Sequence, residues 1–232
     1  MRLYLLRLGT IRALGAPVPG YLIRLDDGTN VLVDTGYPAD LATAGGPIEV
    51  TAEDDVGHRL GELGLTPADV HVVICTHLDP DHAGNHDRFP GAEFVIQGAC
   101  LETARSGRVA RLEEARKRWD RPELRYRQVE GDVRLLPGIE LVESGGHVPG
   151  HQSVLVRLPE TGAVLLAADA IPMGLAADPD ERPILPFDLD EEATRVSTRK
   201  LAELAGREGA LTVYGHDPVQ WAGLRVSPGH YA

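Results

Sequence analysis

Within six residues, His77-Leu78-Asp79-Pro80-Asp81-His82, the chain carries four side chains able to bind a metal ion. Carboxylates packed this closely repel one another, and any that are buried need a compensating charge. A cation meets both demands. Imidazole and carboxylate together suit a borderline or hard divalent ion such as zinc, iron or manganese. If the segment leaves a strand as an extended loop, alternate positions 77, 79 and 81 point into one space, and the chain then turns into a helix at His82. Gly84 relieves crowding where that helix starts beside the site. Taken alone, the segment is also compatible with a solvent-exposed acidic turn.

Three other segments weigh against that bland reading. Ser144-Gly145-Gly146-His147-Val148-Pro149-Gly150-His151-Gln152-Ser153 is a glycine-rich turn between two apolar runs, placed to expose a histidine at a strand end. Leu165-Leu166-Ala167-Ala168-Asp169 is an apolar run closed by a carboxylate, whose two oxygens can each serve one ion. Leu211-Thr212-Val213-Tyr214-Gly215-His216-Asp217 again ends an apolar run in histidine. Strand ends are where layered α/β folds assemble their sites, and here four of them present ligands.

Those strand ends need a scaffold. Alternation predicts strands at 2–8, 20–25, 30–34, 70–75, 93–97, 125–129, 133–136, 139–143, 152–158, 163–168 and 211–214. Asp26-Asp27-Gly28-Thr29 reads as a hairpin turn. Helical spacing predicts helices at 54–64, 82–88, 99–118 and 190–205. Residues 171–189 carry four prolines and no clear period, the pattern of a long loop that shapes a binding mouth or merely covers the surface. Many short strands with helices early, midway and late give a layered α/β sandwich, and 232 residues without a linker or repeat read as one domain, 1–232.

Composition narrows the partners. A formal net charge of −12 repels phosphate backbones, so nucleic acid is not an expected partner. The arginines between 105 and 127 read as a solvated helical face carrying charges of both signs. No stretch approaches the ~20 apolar residues of a membrane span, and the short apolar N-terminal run lacks the features of a secretory leader. Two cysteines, Cys75 and Cys100, make no disulfide framework and fit a cytoplasmic setting. The expected partner is a small-molecule substrate.

The pattern His-x-(His or Asp)-x-Asp-His, then Gly-His, then Asp, then Gly-His resembles the metallo-β-lactamase superfamily. Within it, Leu32-Val33-Asp34-Thr35-Gly36, Pro149-Gly150-His151-Gln152-Ser153, Asp169-Ala170 and Gly215-His216-Asp217 most resemble the N-acyl-homoserine lactonases, the quorum-quenching branch. The resemblance runs from residue 32 to 217. It implies an αββα sandwich of two mixed sheets flanked by helices, and two divalent metal ions per chain. His77, Asp79 and His147 would hold the first ion, Asp81, His82 and His216 the second, and Asp169 would bridge them. Hydroxide shared between the ions would attack a lactone or ester carbonyl, and Asp81 would pass a proton to the leaving oxygen. His86 and His151 fall outside the ligand set, and His58, His71 and His230 read as ordinary residues. Family members often form homodimers, although no stretch here marks an interface.

This chain departs from the family pattern at two positions. Asp79 stands where the family usually has a second histidine; a carboxylate there favours iron, manganese or cobalt relative to zinc. The alternative is that Asp79 points away and leaves the first ion with fewer ligands. Asp169-Ala170-Ile171-Pro172-Met173 lacks the tyrosine that homoserine lactonases typically carry after the bridging aspartate, and Tyr21 and Tyr37 are the conceivable replacements. Three other readings stay open: hydrolysis of thioesters, phosphodiesters or β-lactams; a di-iron oxidative enzyme, although no flavodoxin domain fits in this length; and a non-catalytic metal-binding protein.

Overall fold

The computed structural model describes all 232 residues. Its strands are β1 (Arg2–Ile11), β2 (Ala16–Arg24), β3 (Asn30–Val33), β4 (Ile48–Glu49), β5 (Val72–Ile74), β6 (Glu93–Gln97), β7 (Arg125–Val129), β8 (Val133–Leu136), β9 (Ile139–Glu143), β10 (Gln152–Leu158), β11 (Gly162–Ala168) and β12 (Leu211–Tyr214). The helices are α1 (Val56–Glu62), α2 (Pro80–Ala83), α3 (Gly98–Arg105), α4 (Arg116–Trp119), α5 (Glu191–Glu208) and α6 (Pro218–Trp221). Seven strands form one sheet in the order β4-β1-β2-β3-β5-β6-β7, and five form the other in the order β12-β11-β10-β9-β8. Both are mixed. The first is antiparallel from β4 to β3 and parallel from β3 to β7, while the second is antiparallel except for β11 and β12.

Strand alternation divides the core into layers. In β1, Leu3 and Leu5 join the cluster between the sheets, while Tyr4, Leu6 and Leu8 face the helices outside. The same split holds in β3, where Val31 and Val33 point inward and Leu32 outward. On the second sheet Val164 and Leu166 face inward, and Leu165 and Ala167 meet α5 and its surroundings through Leu201. Each fully buried aliphatic side chain of this kind contributes about 1.5–3 kcal/mol. A one-residue slip would exchange the inward and outward sets, so packing fixes the register and with it the strand ends.

Several elements differ from the sequence expectation. The segment 99–118 is not one helix: α3 ends at Arg105 with Ser106 as its cap, Gly107 takes a left-handed φ of 70°, and a 3-10 turn over Ala110–Glu113 precedes α4. The helix expected at 82–88 is the single turn α2, followed by a 3-10 turn at His86–Arg88. β1 runs on to Ile11 through an irregularity between Arg7 and Thr10, and β2 begins at Ala16 despite Pro17 and Pro19. Those prolines are tolerated because β3 pairs with β2 only from Tyr21 onward. α5 starts where Asp190 accepts the Ala193 amide and ends at left-handed Gly209.

Candidate metal centre

The carboxyl ends of β5, β11 and β12 and the turn between β9 and β10 meet on one rim of the sandwich. His77 arrives three residues after β5, Asp169 directly after β11, His216 two residues after β12, and His147 from the 144–151 turn. Donor atoms of His77, His147 and Asp169 lie within 4.8 Å of one another, and so do those of Asp81, His82 and His216. Asp169 joins the two groups. Its Oδ1 is 3.0 Å from His216 Nε2 and 3.3 Å from His82 Nε2, while its Oδ2 is 3.4 Å from His147 Nε2 and 3.9 Å from His77 Nε2. Asp79 turns toward the first group: its Oδ2 is 2.8 Å from His147 Nε2 and 3.3 Å from His77 Nε2. Asp81 Oδ2 lies 3.7 Å from His82 Nε2 and 3.8 Å from His216 Nε2.

Two observations test whether these residues fit a metal. His77 Nε2 and His82 Nε2 are buried and have no hydrogen-bond partner, a costly state for a polar atom unless an ion completes it. Their opposite ring nitrogens are engaged: His82 Nδ1 lies 2.8 Å from Asp34 Oδ2, and His77 Nδ1 lies 2.9 Å from Thr76 Oγ1. His216 Nδ1 donates to the Pro17 carbonyl at 2.9 Å. Such contacts leave Nε2 as the lone-pair nitrogen facing the cluster, the usual arrangement of metal-binding histidine. The donor set therefore fits divalent ions.

Electrostatics agree. Burial opposes charge on His82, but Asp169, Asp81 and Asp34 outweigh it and hold its pKa well above the usual histidine value. The same contest, with Asp169, Asp188 and Asp79 on the favourable side, raises His147 to about 9. Burial opposes ionisation of Asp169 too, and His216, His82 and His147 overcome this to keep it well below the ordinary carboxylate range. Burial opposes charge on His216 as well, and Asp169 and Asp81 raise it, whereas burial and then the neighbouring His82 lower His77.

Local backbone builds the rim. Asp34 (φ 57°) and Ala168 (φ 46°) are the two non-glycine residues in left-handed conformation, one beneath His82 and one just before Asp169. Strain of this kind persists where surrounding structure enforces it, commonly at functional sites. A Cβ on Gly84 would lie 2.3 Å from Pro38 Cδ and 2.6 Å from the carbonyl oxygens of Gly36 and Pro80, so the position behind α2 admits glycine alone without rearrangement.

The remaining histidines take structural places. Buried His151 lies 2.9 Å from Ser144 Oγ through Nδ1 and accepts the Asp169 amide through Nε2, tying the 144–151 turn to the end of β11. His86 pairs with the Tyr126 hydroxyl at 2.9 Å, outside the cluster. His58 and His71 are exposed, and half-buried His230 packs on Tyr4. Of the two tyrosines considered as replacements, only Tyr21 keeps an uncommitted hydroxyl: it is buried without a hydrogen-bond partner, and burial, then the charges of Asp34 and Asp169, hold its pKa well above the usual tyrosine value. Tyr21 is sealed in the core against Trp221, and Tyr37 donates to Glu114.

Sequence reasoning passed over three sets of residues that support the candidate ligands. Asp34 accepts the Thr76 amide at 2.9 Å and the Thr76 hydroxyl at 2.7 Å besides holding His82. Arg111 donates from Nε to Asp79 Oδ1 at 2.8 Å. Asp188, its side chain 1% exposed, sets Oδ1 3.5 Å from His147 Nδ1 and pairs Oδ2 with the fully buried Arg182 at 3.3 Å. A carboxylate closing the apolar run Val31-Leu32-Val33 was a visible signal for Asp34; the others had none.

Comparison with known proteins follows the same line. A family model described as the metallo-beta-lactamase superfamily matches residues 15–216. The N-acyl homoserine lactonase AttM of Azorhizobium caulinodans is 37% identical over 233 residues, spanning 93% of this chain and 87% of that protein. An N-acyl homoserine lactonase of Bacillus cereus is 34% identical over 226 residues, with the same coverage of 93% and 87%. Among solved structures, an N-acyl homoserine lactone hydrolase with N-hexanoyl-L-homoserine bound at its catalytic metal centre superposes with a TM-score of 0.86 at 29% identity, covering 99% of this chain and 98% of that one. Sheet order, ligand-bearing strand ends and these matches converge: the chain belongs to the metallo-beta-lactamase superfamily, in the branch that holds the N-acyl homoserine lactonases.

Proposed function

We propose that this chain is a single-domain, dinuclear metal-dependent hydrolase that opens the lactone ring of N-acyl homoserine lactones, the chemistry of quorum quenching. The observation that carries the reading is Asp169: one carboxylate joins two groups of donors, with the unpartnered Nε2 atoms of His77 and His82 facing it. In this reading His77, Asp79 and His147 would hold one ion, Asp81, His82 and His216 would hold the other, and Asp169 would serve both. Two divalent ions bound there acidify a water and polarise a carbonyl.

The protein's own groups do the rest. Asp34, Thr76 and the Pro17 carbonyl fix the imidazole tautomers. Water oxygen adds to the lactone carbonyl carbon, the ring C–O bond breaks, and the departing oxygen needs a proton. Asp81, the most accessible carboxylate of the cluster with its side chain 16% exposed, is placed to pass the proton released by the attacking water to that oxygen. An acyl substrate is supported by the mouth, where Phe187 and Leu189 are exposed on either side of Asp188, which touches His147. Asp79 is a harder donor than imidazole and favours manganese, cobalt or iron relative to zinc. Both cysteines are free and buried, and we place the protein in the cytoplasm. No helix is long and apolar enough to cross a membrane.

The test is proton release from homoserine lactones, a thioester, a phosphodiester and a β-lactam, using protein loaded with one metal at a time. Preference for the lactones supports the reading. Faster turnover of another class with the same metal dependence moves the substrate elsewhere within the fold.

A further inference from the structure

Asp79 is one of the two positions at which this chain leaves its family's pattern, and the structure gives it a partner. Arg111 Nε donates to Asp79 Oδ1 at 2.8 Å, and a terminal nitrogen of the same guanidinium donates to the His147 carbonyl at 3.3 Å. Asp79 Oδ2 is left facing His147 Nε2 at 2.8 Å and His77 Nε2 at 3.3 Å. One oxygen is thus taken by the guanidinium and the other points at the donor group. Arg111 reaches this place because the chain breaks after α3. Its 3-10 turn is anchored by the neighbouring Leu112, which is 1% exposed and whose carbonyl accepts the Trp119 indole N–H at 3.3 Å.

We propose that Arg111 is a positioning residue for the first metal site, making Asp79 a one-oxygen donor and supplying the charge that lets a carboxylate stand in an imidazole's slot. The proposal rests on the dinuclear reading above. Free carboxylates can bind a cation through both oxygens, raising its coordination number; a carboxylate with one oxygen held by a guanidinium offers a single atom, as imidazole does. Replacing neutral imidazole by carboxylate adds one negative charge to the site, and Arg111 returns the local sum to its former value. Aspartate at 79 and arginine at 111 are then a matched pair, and neither is neutral to exchange alone.

The experiment is cobalt(II) titration of metal-depleted protein against a competing chelator, with the visible absorption of bound cobalt recorded throughout. Wild type is compared with Arg111→Gln, Arg111→Lys, Asp79→His and the double variant Asp79→His/Arg111→Gln. Cobalt d–d bands weaken as coordination number rises. Arg111→Gln is expected to weaken the bands of the first site, and Arg111→Lys, which keeps one charged donor, to preserve most of their intensity. Asp79→His, which leaves a guanidinium unpaired beside the ion, is expected to lower first-site affinity by about tenfold or more. The double variant is expected to regain most of that loss. Unchanged bands in Arg111→Gln, together with independent effects of the two substitutions, overturn the positioning role while two bound ions in wild type leave the dinuclear reading standing. A wild type that binds no cobalt overturns both. If Arg111→Gln does not fold, the lysine and double variants carry the same comparison.

Discussion

Asp34→Asn isolates the imidazole tautomer on which the proposed second metal site depends. The substitution keeps volume and shape, and asparagine tolerates the left-handed φ of 57° at least as well as aspartate. What changes is the hydrogen-bond inventory. Asp34 is fully buried and receives the Thr76 amide on Oδ1, with the Thr76 hydroxyl and His82 Nδ1 on Oδ2. If the amide oxygen stays with the Thr76 N–H, the NH₂ group faces His82 Nδ1. Imidazole then carries its proton on Nε2, the atom 3.3 Å from Asp169 Oδ1 and 3.7 Å from Asp81 Oδ2. A protonated nitrogen cannot ligate. Loss of such a partner typically weakens a metal site 10–100-fold, about 1.4–2.7 kcal/mol. Competition with a graded chelator series reads the two ions separately. The expected result is a weakening of the second ion in that range, with a smaller change at the first. A folded Asp34→Asn protein that holds both ions with wild-type affinity would refute the reasoning.

Other consequences are measured more simply. Burial pushes His86 down to about 3 from 6.5, so it stays neutral in the folded protein and must gain a proton to charge on unfolding. Its folded pKa is the depressed one, so its contribution is full above about pH 6.5 and declines as pH falls from 6.5 toward 3. From pH 7 to pH 5 the loss is about 2 kcal/mol, and urea melts of His86→Phe should lack that acid slope. Gly84→Ala drives a methyl into Pro38 and two carbonyls, and should cost about 3 kcal/mol in the same melts together with metal retention. Phe187→Ala removes an exposed ring from the mouth, and should raise KM for decanoyl homoserine lactone more than for butanoyl; equal changes for both place the acyl chain elsewhere.

The candidate ligands were legible in the sequence because His77, His147, Asp169 and His216 sit within a few residues of a strand end, where an apolar run stops, and Asp79, Asp81 and His82 follow His77 in the same short segment. Which face of a strand points inward was not legible, since Leu3, Tyr4, Leu5 and Leu6 are all apolar and only packing separates Leu3 and Leu5 from Tyr4 and Leu6. Neither were the contacts that steady the candidate ligands. Asp34 lies 48 residues from His82, Arg111 lies 32 from Asp79, and only tertiary folding brings them together. The break after α3 was missed because helical spacing continues past Gly107, although its left-handed φ ends the helix. The early start of β2 was hidden by Pro17 and Pro19, which are compatible with a strand only where a neighbour is missing. That missing neighbour is part of the site's construction, because it frees the Pro17 carbonyl for His216.

The most direct test of the account is stepwise return of metal to chelator-treated protein while ring opening of an N-acyl homoserine lactone is followed by proton release. Without metal no turnover is expected, and the rate should rise with added ion and saturate at two equivalents per chain. Full activity without metal, or no activity with two ions bound, would contradict it.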